Sequence, residues 1–220
     1  MRQMVRLRHT VHRTTTVAAL LVGTTLVAVP QALAAAAPAS AEAPGGRTAT
    51  AEPLGRLGPL TGLVIERLRV GDDVAASKFG TDSPIEDPVR EQQVLEQVRT
   101  KAAALGLDPE DAAAFFQDQI TASKTVQKGL FARWTAHPEE APTTRPDLTE
   151  IRERLDRLTT DLLDELKATE ALRAKPVACT VQLALAGGSA TARERLDTLH
   201  RQALGTATHH VCVTGRATVS

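Results

Sequence analysis

The stretch "RLRVGDDVAASKFGTDSPIEDPVREQQ", residues 67–93, mixes cations and acids with too few large apolar residues for an ordinary core segment. Arg67 and Lys78 stand eleven residues apart, about three turns of an α-helix, so both point the same way. Gly80 to Pro84 reverses the chain, and Asp87, Arg90 and Glu91 fall on the first turn of the next helix. Further on, Ser123 and Gln127 are four apart and share a helical face with Phe116 and Ile120. A cluster of cations beside a few hydrogen-bonding side chains is suited to gripping a small anion. Singly, each residue reads as a solvated surface group; the meaning lies in the set.

Positioning that set requires helices. Aromatic residues make up 2% of the chain and Tyr is absent, while Leu, Ala, Arg, Glu and Gln dominate, so helix formers outweigh strand formers and an all-α fold is predicted. A first helix is expected over about Leu60–Lys78. A second has Asp87 as N-cap, Pro88 at its first position and Gly106 as terminator. A third repeats the pattern with Asp108 and Pro109. After the Pro-rich loop "HPEEAPTTRP", a long charged helix is expected from near Asp147 to about Ala174. A last helix is expected over roughly Ser189–Val211, with Val177–Leu185 as a short helix or turn rather than a strand.

The chain begins with a basic segment, an apolar run and a small-residue stretch, the order of a secretory signal peptide, assigned to residues 1–34 with Ala36 and Ala41 as alternative cleavage points. The apolar run is shorter than the roughly 20 residues that span a bilayer. Residues 35–55, rich in Ala, Pro, Gly and Thr, are expected to be a disordered linker, leaving one domain over 56–215. Removing the four arginines of residues 1–34 from a balance of 26 basic and 26 acidic residues leaves a net charge of −4. No basic stripe interleaved with aromatics suggests nucleic acid, and no later run is apolar enough for a membrane. Any anion must therefore be held by a local cluster of cations.

Cys179 and Cys212 are an even pair in a chain expected to be exported, which reads first as a disulfide. The alternative is a metal site with His200, His209 and His210. No carboxylate stands at ligand spacing in the sequence, and adjacent histidines on a helix diverge, so no metal is expected. His137 reads as a surface residue of the Pro-rich loop.

Taken in order and spacing, Arg67, Lys78, Asp87, Arg90, Glu91, Ser123 and Gln127 resemble the active-site pattern of the all-helical (AroQ-class) chorismate mutases. The words that carry the likeness are "ERLRVGDDVAASK", "PIEDPVREQQ", "DQITASKTVQ" and "PDLTEIR". The signal peptide and the extra C-terminal segment with its cysteines resemble the exported, gamma-type subgroup. The resemblance implies a helical bundle that converts chorismate to prephenate by an intramolecular rearrangement, without cofactor or metal. It implies that Arg67, Arg90 and Ser123 hold the substrate carboxylates or position groups that do. Lys78 and Gln127 would donate to the ether oxygen, and Glu91, supported by Asp87, would accept from the ring hydroxyl. One further arginine, supplied within the same chain in this subgroup, falls on Arg152, with Arg154 and Arg157 on the same helix as alternatives. A homodimer is implied by the resemblance alone.

Two other readings stand beside it. One is a lyase on the same fold that removes pyruvate from isochorismate, against which Glu91 argues because that substrate carries its hydroxyl elsewhere on the ring. The other is an exported helical protein that binds a partner without catalysis, which leaves the seven-residue coincidence unexplained.

Overall fold

Leu57, Leu60, Val64 and Leu68 recur every three or four residues, and this stripe buries one face of α1 (Gly58–Lys78). The computed structural model describes residues 53–212, and among them every regular element is helical. The others are α2 (Pro88–Ala104), α3 (Pro109–Ala136), α4 (Leu148–Ala168), α5 (Glu170–Arg173), α6 (Pro176–Arg193) and α7 (Thr198–Ala207), with one 3-10 turn at Pro138–Glu140. Helix α1 packs against α3, α4, α6 and α7; α2 lies on α3, and α3 also carries α7. The core centres on Phe115 and Phe116 of α3, both fully buried, with Leu162, Leu163 and Leu166 of α4. Val70, Ile151 and Leu158 form a smaller cluster between α1 and α4. The signal-peptide assignment, the linker up to residue 52 and residues 213–215 of the expected domain lie outside the described residues.

Aspartates start four of the helices. Asp87, Asp108, Asp147 and Asp197 each accept a hydrogen bond from a backbone N–H of the first turn they precede. Such caps are worth about 1 kcal/mol each and satisfy donors that the helix cannot. Gly106 ends the second helical segment at φ +67°, a left-handed conformation that a side chain would strain. At the other end of α1, the ring of Phe79 meets those of Phe131 and Trp134 edge-on, with centroids 5.3 and 5.2 Å away. That cluster fixes the turn immediately after Lys78.

Three expectations need correction. Helix α4 ends at Ala168 rather than near Ala174. Thr169 turns its hydroxyl back onto Glu165 O at 2.6 Å, and a separate short helix follows. The segment Val177–Leu185 is neither turn nor short helix but the first half of α6, started by Pro176 and sustained by the Ala-rich run behind it. Cys179, Ala186 and Ala190 are buried, while Val177, Val181 and Leu185 face outward. The single helix expected over Ser189–Val211 is broken at Glu194–Asp197. There Arg195 takes φ +49°, Leu196 turns into the core, and Asp197 caps the new helix α7. Leu54 N–H donates to Ser189 Oγ and Arg56 N–H to Gln182 Oε1, each at 2.8 Å, so the chain is already fixed on α6 there.

The C-terminal segment is held by several kinds of bond. A Cys179–Cys212 disulfide spans a Cα–Cα distance of 5.7 Å and closes a sequence separation of 33, worth about 3–4 kcal/mol in the chain-entropy account. Buried Arg173 donates to Val211 O and Leu166 O at 3.2 and 3.3 Å. Among the described residues no helix is long and apolar enough to cross a membrane.

His200 ties α7 to α1. Its Nε2 lies 2.9 Å from Asp72 Oδ1 and its Nδ1 2.8 Å from Asp197 Oδ1. The hydrogen bond to Asp72 is the main force raising its pKa from 6.5 to about 9, opposed by burial and aided by Asp197. A raised pKa makes this stabilisation fully present below pH 6.5 and lost as pH rises through about 9. Because water reaches both carboxylates, His200→Ala should cost about 1–2 kcal/mol. The gap in unfolding free energy between parent and variant should shrink toward alkaline pH. A gap that stays constant across that range in denaturant titrations would show that the imidazolium contributes nothing.

Candidate active site

Arg67, Gly71, Val74 and Lys78 follow one another at spacings of four, three and four residues along one face of α1, and all line the same cavity. Gly71 lets α3 approach: a Cβ there would stand 3.3 Å from Ser123 Oγ, inside ordinary contact distance. Across from α1, α3 contributes Ser123 and Gln127, α2 contributes Arg90 and Glu91 behind its capping residue Asp87, and α4 contributes Arg152. The cavity measures about 360 Å³, within the range of small-molecule sites. Its apolar wall includes Val94, Ile120 and Leu155. All eight residues singled out in the sequence thus meet at one place.

The charges there are unbalanced. Arg67 is 8% exposed, with its guanidinium 5.6 Å from the centre of the Phe116 ring and a long 3.5 Å contact from Nη1 to Leu155 O. Burial pushes its pKa down to about 10, while Asp156 pulls the other way, so the group keeps its proton at neutral pH. Lys78 Nζ donates to Pro84 O at 2.9 Å. Burial lowers its pKa, and the fields of Asp87, Glu86 and Glu91 offset part of that. The side chains of Arg90 and Arg152 project at the exposed rim. Among the described residues, none of these four cations forms an ion pair with a protein carboxylate.

The acids of the site are otherwise engaged. Glu91 is gripped by Lys124, whose Nζ lies 3.0 and 2.9 Å from its two oxygens, and Lys124 also reaches Glu86 at 3.0 Å. The hydrogen bond to Glu91 is the main cause that raises the Lys124 pKa. A carboxylate has lone pairs beyond those two bonds, so Glu91 keeps capacity to accept from a ligand. Asp87 uses Oδ1 on the Arg90 N–H at 3.0 Å and so acts on the site by starting the helix that carries Arg90 and Glu91. Gln127 donates from Nε2 to Ser123 Oγ at 3.2 Å, which leaves the second amide proton free. Its buried Oε1 has no partner.

Of the three arginines on α4, Arg152 lines the cavity. Arg154 is bound to Glu66 and Asp73, and Arg157 is exposed outside the lining. Sequence reasoning missed Lys124 and Gln119. The signal for Gln119 was present: Gln119, Ser123 and Gln127 repeat every fourth residue on a face of α3 otherwise occupied by Phe116 and Leu130, a polar row in a core phase. Gln119 is 1% exposed and its Oε1 has no hydrogen-bond partner. No signal marked Lys124, because its partners, Glu91 on α2 and Glu86 in the loop before it, are distant in the sequence.

Neither a histidine nor a cysteine lines the cavity. The cysteines are joined, His200 is held between two aspartates, and His137 is exposed beside Glu139. Ser123 has no base to activate it, so nucleophilic catalysis of the Ser–His kind has no machinery here. The arrangement can bind a compact anion with more than one negative group, fix its conformation and donate hydrogen bonds to charge that develops on it.

Residues 60–128 match the family model described as chorismate mutase type II. The chain is 37% identical over 164 residues to the secreted chorismate mutase of Mycolicibacterium smegmatis, an alignment covering 74% of this chain and 90% of that protein. It is 34% identical to the secreted chorismate mutase of Mycobacterium tuberculosis, covering 74% and 82%. Among solved structures, the chorismate mutase of Burkholderia phymatum aligns with a TM-score of 0.68 at 37% identity, covering 72% of this chain and 96% of that one. With most of α1, all of α2 and most of α3 inside the matched model, and relatives aligned over about three quarters of its length, this chain belongs to the chorismate mutase family.

Proposed function

We propose that the cavity binds chorismate and accelerates its intramolecular rearrangement to prephenate. The observation that carries this reading is the convergence of Arg67, Lys78, Arg90 and Arg152 on one cavity, with none of them ion-paired to a carboxylate among the described residues. Chorismate brings two carboxylates and must fold into a compact, chair-like conformer before its bonds exchange. Arg67 and Arg90, with Ser123, hold the carboxylates, and Arg152 completes the grip from the same chain. Holding that conformer removes much of the entropic part of the barrier. As the carbon–oxygen bond breaks, negative charge grows on the ether oxygen. Lys78, with two ammonium protons beyond the one given to Pro84, and Gln127, with its free amide proton, are the donors aimed there. Such donors bind the transition state more tightly than the substrate. Glu91, oriented by Lys124, accepts from the ring hydroxyl.

The chain is read as exported, on its first 34 residues and on the secreted relatives it resembles. It is read as a homodimer whose sites are each complete within one subunit, because Arg152 comes from the same chain as Arg67. Specific activity should then stay constant on dilution below the dimer's dissociation constant; a loss that follows dissociation would place a catalytic group across the interface.

The direct test is to incubate purified protein with chorismate and with isochorismate and identify the products. Prephenate from chorismate is expected; salicylate and pyruvate from isochorismate, or no product at all, would overturn the assignment. Lys78→Ala should lower kcat/KM by about a hundredfold to a thousandfold, the cost of one lost donor to developing charge. Arg157→Ala should leave turnover near the parent value. Near-native turnover by a folded Lys78→Ala protein would remove Lys78 from the ether oxygen.

The role of Gln127 has its own signature. A neutral amide donates at any ordinary pH, and Arg67, with its pKa near 10, stays charged. The parent rate should therefore vary little from about pH 5 to 8. Gln127→Glu donates only while protonated, and as an anion it repels the charge that develops on the oxygen. Its kcat/KM should be highest at acid pH and fall as pH rises through the pKa of the new carboxyl. Parallel profiles for the two proteins, followed by loss of chorismate absorbance, would show that Gln127 does not touch that oxygen.

A further inference from the structure

Beyond Ala207 the chain turns through His209 and His210 before it reaches Cys212. In that turn the two histidines bring their Nδ1 atoms to 3.4 Å of each other, and His210 Nδ1 lies 2.8 Å from Asp118 Oδ2, contributed by α3 from 92 positions away. The backbone N–H of His210 donates to the same oxygen at 2.9 Å. The rings stand nearly perpendicular, with centroids 4.5 Å apart. Sequence spacing offered these histidines no carboxylate; the fold supplies one.

Each Nδ1 has a single in-plane site that holds either a proton or a lone pair. With a proton on His210 Nδ1, that atom donates to Asp118, and His209 Nδ1 lies beside the bond at 3.4 Å with its own lone pair. With the protons on both Nε2 atoms instead, Nδ1 of each histidine and the Asp118 carboxylate offer three lone pairs within 4.8 Å of one another, and a cation can receive all three.

We propose that His209 Nδ1, His210 Nδ1 and Asp118 Oδ2 bind one divalent first-row transition ion of the zinc class. Two imidazoles and a carboxylate are borderline donors of the kind such ions take, at bond lengths of about 2.0–2.2 Å. Ligand atoms on a common ion at those lengths stand roughly 3–3.5 Å apart at near-tetrahedral angles, so the 3.4 Å separation fits and the 2.8 Å one has only to open slightly. Both histidines are exposed, so an ion has access, and the remaining coordination positions go to water. Asp118 is only 14% exposed and is held in place by the His210 N–H. None of the three residues lines the catalytic cavity. The ion is a clamp: it joins the end of α7 to α3 one residue from Gln119, whose Nε2 already donates to Ala207 O at 2.6 Å.

The test uses the tag-free exported chain after treatment with a chelator. Calorimetric titration with Zn²⁺ should show one ion per chain, and Co²⁺ should give the intense visible bands of a four- or five-coordinate ion. At a hundredfold excess over Kd, Zn²⁺ should raise Tm by roughly 5–10 °C, and chelator should reverse the rise. Loss of a direct ligand should weaken binding by more than the roughly 10–100-fold that an outer-shell partner costs. That loss is expected for Asp118→Asn and, independently, for His209→Ala, an exposed residue whose replacement leaves the His210 bond to Asp118 in place. His137→Ala, which removes the exposed histidine beside Glu139 and Glu140, should change nothing. Turnover of chorismate should be the same in every variant, with or without the ion, so the result is independent of the catalytic assignment. Absence of saturable binding, or binding that survives in folded Asp118→Asn and His209→Ala, would overturn the site.

Discussion

The site rests on a guanidinium that the fold buries without neutralising. Arg67 is 8% exposed, sits over the Phe116 ring and finds no carboxylate within ion-pair distance. Taking a charge out of water costs several kcal/mol unless something compensates, and removing a partner from a buried pair is among the more destabilising changes known. Here the field of Asp156 opposes that cost without forming an ion pair, and no carboxylate among the described residues forms one. The stabilisation surrendered in the free protein is recovered when an anion arrives, so the cost of desolvation is met before binding rather than during it. The remainder of the bundle must be stable enough to carry that burden, which gives physical sense to a core centred on Phe115 and Phe116, the disulfide and the capped helices.

The same constraint explains the local sequence around Arg67. Gly71 lets α3 come close enough for Ser123 and Gln127 to reach the cavity that Arg67 and Lys78 line. The aromatic cluster at Phe79 fixes the chain just past Lys78, and Pro84 O receives the lysine's ammonium. Asp87 then starts α2 in the register that brings Glu91 to the cavity wall and Arg90 to its rim. The Asp87 cap and the Lys78 bond to Pro84 act locally, Gly71 and Phe79 act between helices, and together they hold groups from four helices around one small volume.

Local devices are also the ones a sequence displays. The starts of α2 and α3 could be read from Asp87–Pro88 and Asp108–Pro109 because an N-cap acts within one turn. The sharing of a face by Arg67 and Lys78, and by Ser123 and Gln127, followed from helical geometry alone. What escaped depended on distant partners. The grip of Lys124 on Glu91 spans two helices, and Asp118 meets His210 only after α7 has folded back onto α3. The break between α6 and α7 escaped for a different reason. Good helix formers, Arg193, Glu194, Arg195 and Leu196, run across it, and the burial of Leu196 and the cap at Asp197 outweigh helix continuation.

Helix α6 holds both ends of the described domain. Its Ser189 and Gln182 receive the backbone of Leu54 and Arg56, and its Cys179 is bonded to Cys212 beyond the last helix. A bundle so closed has no loose terminus from which unravelling can spread one turn at a time. Opening must instead detach α6 from α1, exposing Cys179, Ala186 and Ala190 together, which makes it a cooperative and infrequent event. How often that opening occurs then sets how readily a protease can cut the chain.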